Sequence, residues 1–153
     1  MSETLRRIVE IRRQGKLWIV GFIADQVPLW NNIHLWLDFL HHDTPVFTGS
    51  ERIARKFDSD VYYLDIRRER RGYYLASFVL MAEHAASQPE GELTRSYFRH
   101  LEMSIRRQPP FYLWTHNRWK RTHEEYNIRY DEETDRVDMG DLEEIKMRKG
   151  IVE

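Results

Sequence analysis

The chain has 153 residues, with 24 lysines and arginines, 25 aspartates and glutamates, and no cysteine. This length suits one domain with one core, and the near-zero net charge excludes a strong overall attraction to nucleic acid or anionic lipid, so any such attraction must be local. The absence of cysteine excludes disulfides, thiolate nucleophiles and thiolate metal sites.

The first two predicted elements are a helix and a buried strand. Leu5, Ile8 and Val9 recur at helical spacing between residues 2 and 14. Residues 17–24 then form an uninterrupted apolar run, which predicts a strand covered on both faces, as in a parallel sheet. The run is far shorter than the roughly 20 residues of a membrane-spanning helix. A helix followed by a buried strand indicates an α/β fold.

Residues 25–48 show no regular pattern and contain two prolines. We predict a long loop there with at most one short helix, around residues 33–40. His34 and Asp38 would lie one turn apart on that helix, where the carboxylate could orient the imidazole as a general base. The apolar residues around this pair favour a packing role instead.

The seven histidines give no sign of a catalytic or metal-binding pattern. None of them is followed five positions later by an acidic residue. His41 and His42 adjoin Asp43, but neighbouring side chains on a regular element point apart, so a metal site would need a special loop and further ligands. The sequence also has no phosphate-binding glycine loop and no dinucleotide fingerprint. We therefore expect neither a metal nor a cofactor.

A helix and a hairpin are predicted next along the chain. Residues 50–57 predict a helix with Ser50 as its N-cap. Residues 61–66 and 73–80 are rich in β-forming residues and flank a turn that contains Gly72, which predicts a hairpin. Four arginines lie at the tip of this hairpin, where we expect a solvated turn.

The last regular element before the C-terminal tail is a long helix over residues 92–107, which the following proline pair ends. Its apolar stripe has one residue in every four: Leu93, Tyr97, Leu101 and Ile105. Residues 131–144 contain eight acidic residues and one basic residue. We predict an acidic tail that packs poorly, with a short helix over residues 142–147.

Two segments are candidates for binding. Asp25 and Gln26 follow the predicted strand, and the carboxyl ends of strands face the ligand crevice in open α/β sheets. The alternative is that Asp25 caps a turn and Gln26 satisfies loop amides. Residues 111–120 interleave four aromatic residues with cations, which could stack bases, sit at a lipid headgroup boundary, or form core. In the core alternative, apolar side chains of this segment pack inward and Arg118 lies at the surface.

Four segments agree in order and spacing with one known family. They are GFIADQVP (21–28), PVFTGSERIARKF (45–57), VYYLDIRRERRGYYLASFVL (61–80) and SIRRQPPFYLWTHNRWK (104–120). Together they resemble the lipid A biosynthesis acyltransferases, which are late acyltransferases of the lysophospholipid acyltransferase superfamily. Asn117 stands where the family pattern has an arginine. The resemblance covers about residues 2–125 and implies a mixed β-sheet flanked by helices, part of a glycerol-3-phosphate-acyltransferase-like fold.

The resemblance implies transfer of an acyl chain from acyl carrier protein to a hydroxyl of a lipid A precursor, at the cytoplasmic face of the bacterial inner membrane. In that family a His-x4-Asp or His-x4-Glu pair supplies the base, upstream of the strand that ends in Asp-Gln. Because this chain has no such pair, we expect residues 1–130 to be the C-terminal part of the acyltransferase domain and 131–153 a tail. We expect this fragment to be soluble and inactive alone.

Nine residues are expected to bind substrate, and no catalytic residue is expected in this chain. They are selected either because they match the family pattern or because of their charge. These residues are Asp25, Gln26, Thr48, Gly49, Glu51, His116, Arg118, Trp119 and Lys120. The first two would form the floor of the site and the next three its wall. The last four would approach an anionic headgroup or the carrier protein.

The expected partners are acyl carrier protein, the lipid A precursor and the membrane surface, but not nucleic acid. An incomplete sheet exposes edges and apolar faces, so we also expect self-association of the fragment. One alternative is a non-enzymatic module that binds nucleic acid or a membrane surface through residues 111–121. Another is a structural domain that gains stability only with a second polypeptide.

Overall fold

The computed structural model describes residues 2–151. Met1, at the start of the predicted acyltransferase part (1–130), and residues 152–153, at the end of the predicted tail (131–153), lie outside the described residues. In chain order the elements are α1 (Ser2–Arg13), β1 (Leu35–Phe39), β2 (His42–Val46), α2 (Gly49–Phe57), β3 (Val61–Arg70), β4 (Tyr73–Ala82), α3 (Glu92–Arg107), α4 (His123–Arg129), β5 (Tyr130–Asp131), β6 (Arg136–Val137) and α5 (Leu142–Lys149). Short 3-10 helices lie at Trp30–Asn32, Ala85–Ser87 and Pro109–Phe111.

The predicted α/β class is confirmed, but the expected mixed sheet is not found among residues 2–151. The described strands form three separate antiparallel pairs, β1 with β2, β3 with β4 and β5 with β6. Each strand pairs with its neighbour in the chain through a short turn, so no crossover connection joins the pairs into one sheet. Among the described residues, no helix is both long and apolar enough to cross a bilayer.

The prediction of a buried strand over residues 17–24 is wrong. This segment follows α1 without strand pairing, and Leu17 and Ile19 are almost completely exposed. A continuous apolar run is typical of a strand with neighbours on both sides, and the described part of the chain provides none. The run is therefore only partly covered: Trp18 packs edge to face on Phe57 at 5.9 Å and Ala24 is buried.

The predicted short helix around residues 33–40 is a strand. Leu35, Leu37 and Phe39 alternate along β1 and pack on α3, which is the period of a strand. The chain then reverses through a tight turn in which Leu40 and His41 have positive φ angles of 53° and 65°. Because the segment is extended, side chains four positions apart are no longer neighbours, and the alternative in which Asp38 orients His34 does not form.

Both central helices are confirmed. α2 starts one residue earlier than predicted, after Thr48, so that Ser50 lies in its first turn and is not the N-cap. α2 ends at Phe57, and Asp58 caps it in the left-handed conformation with φ of 49°. α3 has the predicted bounds, and its apolar stripe faces the core.

The main core lies between the β1–β2 hairpin and α3. Its buried residues are Leu37, Phe39, Val46, Phe98 and Ile105. The rings of Phe39 and Phe98 meet edge to face, with 5.1 Å between their centroids. Side chains of this size each stabilise the fold by about 1.5–3 kcal/mol when fully buried, so this layer fixes how α3 is oriented.

The predicted β3–β4 hairpin is confirmed, and each of its strands extends to ten residues. On its inner face Tyr63 packs against α3 and donates a hydrogen bond to Ser104 at 3.0 Å. The opposite face, which we call the outer hairpin face, has large exposed apolar side chains: Tyr62, Leu64, Ile66, Phe78 and Leu80.

The C-terminal region packs more closely than its acidic composition predicts. Arg129 donates hydrogen bonds to the carbonyl groups of Asp138 and Gly140 at 3.1 and 2.8 Å. α5 covers the segment in which a terminal helix was expected, with Asp141 as its N-cap, and Ile145 is buried. A buried arginine and a capping aspartate thus order a segment that has few apolar residues.

Candidate functional site

A buried arginine joins two of the predicted binding segments. Arg118 is only 1% exposed, and its Nη1 atom donates a hydrogen bond to the backbone carbonyl of Asp25, although 93 positions separate the two residues. Its guanidinium lies 5.8 Å from the ring centroid of Phe39 and 5.1 Å from that of Phe98. The residues after the apolar run are therefore fixed against the core layer on α3.

The remaining polar atoms of this guanidinium are unsatisfied. Nε and Nη2 of Arg118 are buried and have no hydrogen-bond partner within residues 2–151. Burial lowers the pKa of Arg118, because desolvation disfavours the charged form. Arginine still keeps its proton in proteins, so a positive charge lies inside the molecule, stabilised in part by the two ring faces. This charge is the main electrostatic feature of the site.

Two tyrosines lie close enough to this arginine to interact with its charge. Burial raises the pKa of Tyr97, and the nearby Asp25 carboxylate raises it further. Burial likewise raises the pKa of Tyr112, although Arg118 opposes that shift. Both phenols are therefore protonated at neutral pH and can donate hydrogen bonds, but they are poor general bases.

Asp25 and Gln26 form the part of this site that reaches solvent. Asp25 is half-buried and Gln26 is exposed, and the Gln26 amide donates to the Asp25 carboxylate at 3.4 Å. Because the Asp25 carbonyl is held by Arg118, the two polar side chains are presented from a fixed backbone. A carboxylate and an amide in this position can accept and donate hydrogen bonds to the hydroxyl groups of a ligand.

Trp119 and Lys120 continue the site along the chain. The indole nitrogen of Trp119 donates to the hydroxyl of Thr44 at 2.9 Å, and its ring lies 4.6 Å from that of His42. Lys120 is exposed beside this anchored tryptophan. His116 is half-buried, and its Nε2 atom has no hydrogen-bond partner in the described part of the chain.

The core alternative for residues 111–120 is wrong in both of its parts. Phe111, Leu113 and Trp114 are each more than half exposed, whereas Arg118 is buried. Pro109–Phe111 forms a 3-10 helix, and the segment then turns over the surface before Arg118 enters the core. Arg118 is thus inside while Phe111, Leu113 and Trp114 are outside, and within this segment Tyr112 and Trp119 supply the apolar contacts with the core.

Thr48, Gly49 and Glu51 lie in a different place from these residues. They belong to the loop before α2 and its first turn, and Thr48 and Glu51 line a cavity of about 410 Å³. The buried carboxylate of Glu51 accepts hydrogen bonds from the backbone amides of Gly91 and Thr94 at 2.7 and 3.0 Å. These amides lie at the N-terminus of α3, so the Glu51 carboxylate caps that helix and interacts favourably with the positive end of its dipole.

One side-chain pair was missed by the reasoning from sequence. His123 donates from Nδ1 to the Asp43 carboxylate at 2.7 Å, and its ring stacks on Trp36 at 4.4 Å with the planes parallel to within 1°. The neighbouring His42 turns instead toward Trp119. Residues 80 positions apart give no local signal, so only the β1–β2 hairpin and α4 bring this pair together.

Comparison with known proteins identifies one family. The family model described as bacterial lipid A biosynthesis acyltransferase matches residues 1–121, which is most of the chain. The match includes Asp25, Glu51 and Arg118 and ends before α4. It confirms the resemblance that the four segments indicated. No curated protein and no solved structure shows significant similarity to the chain.

Proposed function

Because the chain belongs to the family of bacterial lipid A biosynthesis acyltransferases, we propose that it forms the substrate-binding part of an enzyme that acylates a lipid A precursor. The observation that supports this role best is the bond from buried Arg118 to the Asp25 carbonyl. It holds two segments of the family pattern in one fixed arrangement. Such preorganisation lets a site bind a substrate without first ordering its own backbone.

The residues of this site would have different roles. Arg118 is a positioning residue, since its side chain is buried and its contact is with the backbone. Asp25 and Gln26 would bind hydroxyl groups of the sugar. Lys120 would meet a phosphate group as an exposed point charge. His116 and Trp119 would hold the segment that carries Lys120.

The wall residues Thr48, Gly49 and Glu51 would act at a distance from this centre. Glu51 uses its carboxylate to hold the start of α3, and α3 carries Phe98, on which Arg118 packs. Glu51 is therefore a positioning residue in our proposal, and Thr48 and Gly49 let the chain enter α2 at the required angle. Loss of the Glu51 carboxylate would weaken substrate binding only by shifting α3.

In the proposed reaction, a hydroxyl oxygen of the precursor attacks the thioester carbonyl of an acyl chain carried by acyl carrier protein. The new C–O bond forms, the C–S bond breaks, and the thiol of the carrier leaves with a proton. A histidine oriented by a carboxylate takes the hydroxyl proton. We propose that a polypeptide segment outside these 153 residues supplies the His-x4-Asp or His-x4-Glu pair. The complete domain would adopt a glycerol-3-phosphate-acyltransferase-like fold at the cytoplasmic face of the inner membrane.

A binding measurement tests this proposal. The ligand is a phosphorylated glucosamine disaccharide lipid dispersed in neutral detergent, titrated into the full chain in a calorimeter. A variant that carries both Asp25→Asn and Gln26→Ala should have a dissociation constant about tenfold higher or more. Hydrogen bonds to a charged group are worth about 1.5–3 kcal/mol. The matched control combines Asp38→Asn with Gln14→Ala, both at exposed positions elsewhere.

Two results would contradict the proposal. Equal affinities of the parent chain and the Asp25→Asn, Gln26→Ala variant would remove these residues from the site. Turnover of an acyl thioester by the 153-residue chain alone would show that the base lies within it. For the affinity comparison, circular dichroism must first show that the variant keeps the helix content of the parent chain.

A further inference from the structure

The cavity beside α2 is lined by ionisable side chains from three parts of the chain. Its volume is about 410 Å³, and these side chains include His34 just before β1, Arg52 and Arg55 on α2, and Glu90 in the loop before α3. Arg52 and Arg55 are three positions apart on one helix, so their side chains lie on the same face. We call this space the α2 cavity. Two guanidinium groups and an imidazole therefore border one space.

Neither arginine of the α2 cavity is part of an ion pair within residues 2–151. Nε of Arg55 is in addition buried there without a hydrogen-bond partner. A buried donor that is left unpaired is unfavourable, because it has lost its contacts with water. A ligand oxygen that accepts a hydrogen bond from this nitrogen would remove that penalty, which marks Arg55 as the centre of a binding site.

The carboxylates of the α2 cavity do not neutralise these arginines. Glu51 accepts hydrogen bonds from the amides of Gly91 and Thr94 and from the Thr94 hydroxyl, so its oxygens already hold the start of α3. Glu90 is exposed and, in the part of the chain that the structure describes, forms no ion pair either. Solvent screens an exposed carboxylate, so its attraction for nearby cations is weak. The two guanidinium groups therefore remain available to an anion from solution.

We propose that the α2 cavity binds the phosphate group of a phosphate monoester. Arg55 would hold this group side-on through Nε and Nη2, in the bidentate geometry that guanidinium groups form with phosphate, and Arg52 would contact a second oxygen. His34 would donate to a third oxygen. A phosphate group offers three terminal oxygens in a tetrahedral arrangement, whereas a carboxylate offers two in one plane, so donors from different parts of the chain fit phosphate better.

The size of the α2 cavity indicates that the ligand also has an organic part. A space of about 410 Å³ is much larger than one phosphate group and is typical of small-molecule sites, and Leu35 gives it an apolar side. Two kinds of ligand carry such a group: a soluble phosphorylated metabolite and the precursor of the proposed reaction. The inference goes beyond the proposed function, because neither Asp25 nor Arg118 lines this cavity and binding there does not depend on acyl transfer.

The test is calorimetric titration of the full chain with glucose 6-phosphate, with inorganic phosphate, and with glucose as the uncharged control. We expect saturable binding of both phosphates and none of glucose. Arg52→Gln together with Arg55→Gln should raise the dissociation constant about tenfold or more, since two charged hydrogen-bond donors are lost. Arg55→Lys keeps the charge but not the bidentate contact, and should raise the dissociation constant about threefold. Glu90→Gln removes a nearby negative charge and should lower it about twofold.

The matched control is Arg6→Gln with Arg13→Gln on α1, which removes the same net charge at exposed positions. Three outcomes would overturn the inference. These are no binding of either phosphate at millimolar concentration, a loss of affinity in the control variant as large as in the Arg52, Arg55 variant, or binding of citrate as tight as that of glucose 6-phosphate. Each variant must keep the helix content of the parent chain by circular dichroism.

Competition identifies the source of the phosphate group. If the detergent-dispersed precursor displaces glucose 6-phosphate from the parent chain, the α2 cavity takes the phosphate of the lipid. If both ligands bind together, the cavity takes a soluble monoester. Failure here is distinguishable from failure of the sugar-binding proposal, because the Asp25→Asn, Gln26→Ala variant should bind glucose 6-phosphate like the parent chain.

Discussion

The two larger hairpins differ in a way that strand length does not predict. The β1–β2 hairpin has strands of only five residues, yet Phe39 and Val46 are completely buried against α3. The β3–β4 hairpin has strands of ten residues, yet its outer face leaves Phe78 72% exposed. Cross-strand hydrogen bonds are similar in kind in both hairpins, so the difference lies in what covers their side chains.

This contrast shows what each hairpin contributes. Burial of apolar side chains stabilises a hairpin far more than extending its ladder, since a two-stranded hairpin alone is marginal in water. The β1–β2 hairpin therefore belongs to the core. The β3–β4 hairpin is anchored to α3 by Tyr63 and Asp65 on its inner face and to Gln108 through the backbone of Arg68, and it offers its outer face for contact.

The largest expected effect is at the packed hairpin. Phe39→Ala should lower the free energy of unfolding by about 3–5 kcal/mol, because Phe39 is fully buried and touches the Phe98 ring and the Arg118 guanidinium. The matched substitution Phe78→Ala should change it by about 0.5 kcal/mol or less. Urea denaturation followed by circular dichroism measures both. Similar losses for the two variants would break the comparison.

A smaller effect is expected where α2 meets the start of α3. Glu51→Ala should lower the free energy of unfolding by about 1–3 kcal/mol, since the buried amides of Gly91 and Thr94 lose their acceptor. Hydrogen exchange should speed up first at these amides. Glu83→Ala at an exposed position is the control. An unchanged exchange rate at Thr94 would mean that α3 does not depend on this cap.

The inner face of β3 gives a prediction about pH. Arg107, which donates to Asp65 at 2.6 Å, lowers the pKa of that carboxyl group, and Ser104 adds a second hydrogen bond. Because the folded pKa lies below the unfolded value of about 3.9, the charged pair stabilises the fold above that pH. This contribution is lost as the pH falls through the lower, folded value.

Asp65→Asn tests this pH dependence. At neutral pH the variant should be less stable than the parent chain by at most about 1 kcal/mol, since the Arg107 side chain is 42% exposed and solvent screens the pair. The difference should shrink on acidification below about pH 4. Unfolding curves at several pH values measure it. A difference that grows in acid would have the wrong sign and would exclude this pair as the cause.

Elements with a long, regular pattern could be predicted from the sequence, and short ones could not. α3 has 16 residues, and its four-residue stripe together with the proline pair after it gave its bounds correctly. β1 has only five residues, and a short apolar segment fits either a helix or a strand. Its turn uses Leu40 and His41 at positive φ, where glycine or asparagine is usual, so the hairpin has no turn signal.

The candidate site shows the same limit. The family pattern drew attention to Asp25, Glu51 and Arg118, but residue types do not reveal that one of these carboxylates caps a helix. The bond between Arg118 and the Asp25 carbonyl depends on how α3 packs, and the pairing of His123 with Asp43 depends on a hairpin that was not predicted. Such tertiary contacts between distant residues leave no local trace.

The last prediction concerns the outer hairpin face. Substitutions there should have the smallest effect on the free energy of unfolding but a large effect on self-association. An apolar face on a two-stranded sheet, together with the exposed side chains of Leu17, Ile19 and Ile23, should bring two copies of the chain together. Phe78→Asp should shift the chain to a monomer in light scattering, while the free energy of unfolding at low protein concentration changes by about 0.5 kcal/mol or less. Met147→Asp, on the exposed side of α5, should leave assembly unchanged. If the parent chain is itself a monodisperse monomer, the exposed face does not serve self-association, and the comparison then rests on stability alone.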